Sequence, residues 1–298
     1  MTSIGLCGAG RMGAAIGERL LKLGHQVTVW NRTPAKLQPL IQAGARPAAG
    51  PRELAAAAEV VISIMTDQSA LDAVFRGENS LLSGSVAGKL FIEMSTVQPH
   101  TARALGHLVQ AKGAGFVDCP VGGSTAPARE GKLFGFVGGS EADVARARTV
   151  LQDLCRRIEH VGPVGAGASM KLAINLPLLV YWQALGEALS LCRPLGLEPQ
   201  RLLDILADTN GAPPAVKGRA ASIVQALRGQ DTGAVSFDVD SVRKDLRTMI
   251  QEGSDLGVEV PVAARALACF DEAAGEGLGA RDCVMLPVRW SARGGRRG

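Results

Sequence analysis

The chain has 298 residues, 47% of them apolar and 20% charged, with a formal net charge of +4. That composition excludes a disordered protein, and a small, dispersed positive charge does not argue for a nucleic-acid partner. The length exceeds what one core comfortably fills, which predicts two domains.

The first half alternates short β-branched runs with amphipathic stretches. "SIGLCG", "QVTVW", "EVVISIM", "KLFIEMS" and "GFVDCP" predict strands, each bounded by Gly, Asp or Pro, and segments such as "RMGAAIGERLLKLG" predict helices between them. The alternation predicts an α/β domain, a parallel sheet covered by helices on both faces. Two further strands are predicted at "LFGFVGG" and "RIEHVG". Between them a helix should start at Ser140, where "SEAD" is a capping-box variant. After Gly167 the strand signals end and helices follow, beginning with one long apolar helix from about Ala168 to Pro194. The expected domains are therefore residues 1–163, α/β, and residues 164–298, all helical, joined by that long helix. The helix is interrupted by Pro177, Gln183 and Glu187, so it predicts a buried helix and no membrane.

The six cysteines form no CxxC pair, and the four histidines show no metal-ligand spacing, so reduced thiols, a cytoplasmic setting and no metal are expected. The arginine-rich end "RWSARGGRRG" from Arg289 is predicted to be a solvated, mobile terminus.

"GLCGAGRMG" places Gly8, Gly10 and Gly13 in GxGxxG spacing directly after an apolar run and at the start of a helix. In the Rossmann dinucleotide-binding fold such a loop uses its first glycine for a tight turn. The second admits the pyrophosphate and the third packs helix on strand. With these, Arg11 and Met12 complete a candidate cofactor loop. At the end of the second run, where an acidic residue would hold a free ribose hydroxyl, the chain has Asn31, Arg32 and Thr33. A guanidinium accepts a 2′-phosphate and a carboxylate repels it, so NADPH is the expected cofactor, in preference to NADH. Thr33 and Pro34 also suit a helix N-cap and first helical position.

Four further stretches occur in order: "STVQP" from Ser95, "DCPVGGSTAPAREGKL" from Asp118, "GAGASMKLAIN" from Gly165 and "RKDL" from Arg243. Together with the glycine loop, the sequence resembles the β-hydroxyacid dehydrogenase family over nearly its whole length. The resemblance implies an NADP-dependent oxidoreductase acting on a small 3-hydroxy acid or semialdehyde carboxylate. Lys171 matches the catalytic lysine and Asn175 the asparagine one helical turn later. Lys244 matches a lysine near the cofactor, and Thr96 the threonine beside the nicotinamide. Met65 and Thr66 fall on a cofactor-touching loop, where the usual Leu-Pro pair is replaced. Ser95, Thr96, Gly122, Gly123, Ser124, Lys171 and Asn175 are the implied substrate contacts. Gly122 stands where the family has a serine, and Ile174 replaces a common asparagine.

The residues support the central assignment in their own right. Positions four apart share a helix face, so Lys171 and Asn175 project together. A glycine-rich turn supplies backbone donors for a carboxylate. Two alternatives use the same cofactor fold: an imine reductase, whose members usually carry Asp or Tyr at the lysine position, and a non-catalytic NADPH-binding interaction module, in which the lysine is typically lost. The family also implies a homodimer or homotetramer.

Overall fold

The computed structural model describes residues 1–293. They form two compact units, Met1–Leu172 and a second beginning at Ala173. The first unit carries a nine-stranded sheet: β1 (Ser3–Cys7), β2 (Gln26–Trp30), β3 (Arg46–Pro47), β4 (Val60–Ser63), β5 (Leu90–Glu93), β6 (Gly115–Asp118), β7 (Val121–Gly122), β8 (Leu133–Gly139) and β9 (Cys155–Gly162). Its order is β3-β2-β1-β4-β5-β6-β8-β7, with β9 also pairing β8. Strands β1 to β6 are parallel, which is the Rossmann arrangement the alternation predicted.

Beyond β6 the sheet departs from purely parallel pairing. The chain leaves β6, forms the short β7 and a helical turn closed by Gly131 in the left-handed region, and returns as β8 antiparallel to both β6 and β7. Strand β9 then pairs parallel to β8. The two-residue strands β3 and β7 are too short to show an alternation in sequence.

Side chains alternate across the sheet, so each strand feeds two cores. On one face Ile4, Leu6, Ile62 and Ile92 pack with Ile16 and Leu20 of α1 (Arg11–Lys22), Leu40 of α2 (Gln38–Gln42) and, further along the sheet, residues of a later helix described below. On the other face Val61, Phe91 and Phe116 pack with Leu54 of α3 (Pro51–Ala56), Leu71 and Val74 of α4 (Gln68–Phe75) and Leu105 and Val109 of α5 (Pro99–Gln110). Next in order come α6 (Thr125–Glu130) and α7 (Glu141–Leu154), the latter adding Val144, Ala147 and Leu151 to the first core. Ser140 caps α7 by accepting the Asp143 N–H at 3.2 Å, as its sequence predicts.

Helix α8 (Ala166–Cys192) begins in the first unit and continues into the second with Pro177 inside it. Its first turn belongs to the sheet unit because the Asp118 carboxylate accepts N–H bonds from Gly165 and Ala168. By length and composition this helix could cross a membrane. The second unit continues with α9 (Pro199–Ala207), α10 (Pro214–Lys217), α11 (Ala220–Leu227), α12 (Val239–Asp255), α13 (Pro261–Ala273) and α14 (Met285–Arg293). Its buried apolar side chains include Trp182, Leu185, Ile223, Val242, Leu246 and Phe270. Arg219 lies over the Trp182 ring and pairs with the buried Asp282, which also accepts the Ser236 N–H and so holds the connection before α12.

The described part of the arginine-rich end, Arg289–Arg293, is helical and paired, which differs from the solvated terminus expected there. Arg289 and Arg293 are four apart on α14, so they share a face and both pair with Glu276, and Arg293 also with Glu272. Residues 294–298 lie outside the described residues. Among the described residues no His, Cys, Asp or Glu cluster could hold a metal, and all six cysteines are free.

Candidate active site

The carboxyl ends of the parallel strands carry the predicted cofactor residues of the first unit, and Lys244 lies in the second. Gly8 follows β1 with φ +105, and a Cβ there would lie 2.3 Å from the Ile64 carbonyl oxygen, so only glycine makes this turn. A Cβ at Gly13 would lie 2.0 Å from the Gly8 carbonyl oxygen, which is the close helix-to-strand approach its spacing predicts. Around Gly10 nothing lies within 4 Å of a Cβ position. This open space sits at the N-terminus of α1, a twelve-residue helix with no acidic residue in its first turn. The first-turn N–H groups and the helix dipole there suit a pyrophosphate, and the donor set fits a dinucleotide.

Asn31 anchors this loop. Its Oδ1 accepts the Ala9 N–H at 3.1 Å, and its Nδ2 donates to the Thr33 carbonyl at 3.0 Å. Its primary role is thus to tie the loop after β1 to the loop after β2. Arg32 and Thr33 are exposed beside it, Arg11 is exposed, and Met12 packs partly against the core. Thr33 is the N-cap of a short 3₁₀ helix, Pro34–Leu37, as expected.

After β4 and β5 come further residues predicted to touch the cofactor. The Met65 N–H donates to Ser95 Oγ at 2.7 Å, and Thr66 Oγ1 donates to Asp67, which caps α4. Ser95 is 3% exposed and Thr96 is half-buried. Behind them stands a carboxylate that the sequence reading did not single out. Glu93 accepts bonds from the Ser63 hydroxyl and from the Ser95 N–H, the latter at 2.6 Å. Burial pushes its carboxyl up to about 7, against the opposing effect of the Ser63 and Ser95 hydrogen bonds. Its signal in sequence is a charged residue inside the apolar run "KLFIEMS".

Asp118 is the second such carboxylate, register partner of Glu93 on the neighbouring strand. It accepts the Gly165 N–H at 2.7 Å and the Ala168 N–H at 2.8 Å, and burial raises its carboxyl to about 6. It does two things at once. It caps the helix that carries Lys171, and it starts the segment that carries Gly122, Gly123 and Ser124. The backbone must come close for this: a Cβ at Gly138 would lie 2.4 Å from Asp118 Oδ1.

Lys171 is 8% exposed, one turn beyond the Asp118 cap, and Asn175 is half-buried one turn further. Gly123 has φ +123 and Ser124 is the N-cap of α6. Gly122 is half-buried, with Phe134 and Phe136 stacked beneath it at 4.4 Å between ring centroids. Lys244 lies on α12 in the second unit and pairs with its buried neighbour Asp245 at 2.5 Å.

Comparison with known proteins agrees with this geometry. The family model described as the NAD binding domain of 6-phosphogluconate dehydrogenase matches residues 3–162. That described as NAD-binding of NADP-dependent 3-hydroxyisobutyrate dehydrogenase matches residues 165–287. The chain belongs to the β-hydroxyacid dehydrogenase family. Glyoxylate/succinic semialdehyde reductase 1 of Arabidopsis thaliana is 34% identical, covering 97% of this chain and 99% of its own. The 3-hydroxyisobutyrate dehydrogenase of Pseudomonas aeruginosa is 33% identical over 91% of each chain. The solved structure of 3-hydroxyisobutyrate dehydrogenase from Mycobacterium tuberculosis with L-serine superposes with a TM-score of 0.83 at 27% identity, over 96% of this chain and 98% of that one. As a β-hydroxyacid dehydrogenase the protein is an NAD(P)-dependent oxidoreductase of hydroxy acids and semialdehydes.

Proposed function

We propose that the protein reduces a small semialdehyde carboxylate, or oxidises the matching 3-hydroxy acid, using NADP(H) in preference to NAD(H), with Lys171 as the proton donor and acceptor. The observation that carries this reading is the burial of Lys171 one turn past the Asp118 cap, on the helix bonded to the strand end from which the Gly122–Ser124 segment departs. A bound nicotinamide supplies or takes the hydride. The chain itself supplies the proton: the Lys171 ammonium gives one to the substrate carbonyl oxygen, and the neutral amine takes one from the alcohol in reverse. Asn175, on the same helix face, orients the reacting group by hydrogen bonding. The N–H groups of the Gly122–Ser124 turn and the Ser124 hydroxyl suit a carboxylate.

Preference for the phosphorylated cofactor is supported by Arg32, exposed beside Asn31 with no carboxylate at that position. A charged bidentate contact contributes about 1.5–3 kcal/mol, or about tenfold to more than a hundredfold in affinity. The apolar side chains Met170, Ile174 and Leu191 exposed on α8 support a homo-oligomer in which a second copy covers them.

The experiment is an NADPH-consumption panel of glyoxylate, succinic, tartronate and methylmalonate semialdehydes against neutral aldehydes and cyclic imines, run on the wild type and on Lys171→Ala. The carboxylates should have the higher kcat/KM, and Lys171→Ala should lower kcat by about a hundredfold or more with NADPH affinity retained. An active Lys171→Ala enzyme sinks the proton assignment. Better turnover of imines or neutral aldehydes than of every carboxylate makes the protein an imine reductase or a neutral carbonyl reductase instead.

A further inference from the structure

The parallel register sets Cys7, Ser63, Glu93 and Asp118 side by side across four neighbouring strands, at the end of the sheet where the cofactor loops leave it. Glu93 and Ser63 are each 1% exposed, on a face otherwise filled by Val61, Phe91 and Phe116. An apolar side chain at position 93 would complete that core, whereas a carboxylate carries a desolvation cost. The hydrogen bonds show what the carboxylate does instead. One oxygen accepts the hydroxyl of Ser63, the last residue of β4, and the other accepts the Ser95 N–H just beyond β5. Ser95 Oγ in turn accepts the Met65 N–H. Three hydrogen bonds thus connect the loop after β4 to the loop after β5, running through Ser63, Glu93, Ser95 and Met65 in that order.

We propose that Glu93 is a positioning residue for hydride transfer: through Ser63 and Ser95 it fixes the Met65–Thr66 and Ser95–Thr96 segments against one another, and these segments seat the nicotinamide half of the cofactor. The proposal rests on the assignment of Met65, Thr66 and Thr96 to the cofactor. Glu93 touches neither cofactor nor substrate. Its effect passes through the Ser95 N–H, which it holds directly, and the Met65 N–H, which Ser95 holds in turn, so loss of the link shifts the loops by about a fraction of an ångström. Displacements of that size matter to a transfer that needs donor and acceptor carbons in van der Waals contact. Burial, with a smaller contribution from Asp118 on the adjacent strand, raises the Glu93 carboxyl to about 7, so the group carries its proton over part of the neutral range. A protonated carboxyl can still accept from Ser95 and donate to Ser63, and glutamine imitates that form.

The test compares Glu93→Gln, Glu93→Leu and Ser63→Ala with the wild type. It reads melting temperature, NADPH affinity by fluorescence, kcat at saturating substrates and the isotope effect with 4-deuterated NADPH. Glu93→Gln keeps both links and should retain kcat within about threefold, whereas Glu93→Leu should lose about tenfold or more in kcat and show a larger isotope effect. Ser63→Ala removes one link without touching the loops and should lie between them. It carries the test if Glu93→Leu does not fold. Glu93→Leu and Ser63→Ala variants that melt lower yet keep wild-type kcat and isotope effect would overturn the proposal, leaving Glu93 a structural carboxylate. Wild-type protein that binds neither NADPH nor NADH would overturn the cofactor assignment and this proposal with it.

Discussion

Replacing Asp118 with Asn asks whether burial or hydrogen bonding governs the carboxylate at the start of α8. In favour of the charged form stand two N–H donors at 2.7 and 2.8 Å, from Gly165 and Ala168, each worth about 1.5–3 kcal/mol to a charged acceptor. Against it stands desolvation, for Asp118 is 1% exposed and its carboxyl is raised from 3.8 to about 6. Burial therefore wins, by about two pH units or about 3 kcal/mol. The sign follows from linkage. The unfolded chain releases this proton near 3.8 and the folded chain only near 6, so wild-type stability falls as pH rises through that window and is level above it. Asparagine has no proton to release. Its Oδ1 accepts one N–H and its amide group opposes the other, which costs about 1–3 kcal/mol at low pH. Asp118→Asn should thus be the less stable protein at about pH 4, and the gap should close or invert by about 3 kcal/mol towards about pH 8. Relief of Glu93, whose carboxyl Asp118 raises, acts in the same direction. Urea unfolding of both proteins across this range measures the gap, and the other titrating groups cancel in the difference. A gap that widens as pH rises would show hydrogen bonding outweighing burial and would refute this account.

Gly13→Ala should cost about 2 kcal/mol or more in urea unfolding, since its Cβ would meet the Gly8 carbonyl oxygen at 2.0 Å. Gly10→Ala, with nothing near its Cβ, should unfold as the wild type does but weaken NADPH binding by about tenfold or more in a fluorescence titration. Gly122→Ser should leave stability within about 0.5 kcal/mol, because its Cβ would make ordinary contacts of 3.6 and 3.7 Å with Phe136 and Phe134. Its added hydroxyl should lower KM for semialdehyde carboxylates by about twofold to tenfold in steady-state kinetics, the worth of one hydrogen bond. Gly123→Ser is the control that should destabilise, since φ is +123 and Leu133 Cδ2 would lie 2.9 Å away.

What the sequence made legible and what it hid divide along a physical line. Periodicity and glycine spacing are local, and they located the parallel strands, the helical second half, the Gly8–Gly13 loop and the Ser140 cap, each of which the structure contains. The direction of β8 was not legible, because an apolar run has the same pattern in parallel and antiparallel pairing. Arg289 and Arg293 looked like a solvated tail because their partner Glu276 lies in an earlier turn of chain, before α14 begins. The carboxylates were hidden for the same reason in stronger form. Glu93 is thirty residues from Ser63, and Asp118 is forty-seven from Gly165 and fifty from Ala168. Only strand register and the return of α8 to the sheet bring them together. Yet each leaves one local trace, a lone charge at the carboxyl end of a strand whose other residues are all buried. An ionisable group in such a position must find donors or give up its charge. In a parallel sheet the donors nearest a strand's carboxyl end are the loops that build the site. The charged residue that interrupts an apolar run at that end is therefore a marker for the scaffold beneath the active-site loops. Here Glu93 marks the loops of Met65 and Ser95, and Asp118 the side that carries Lys171.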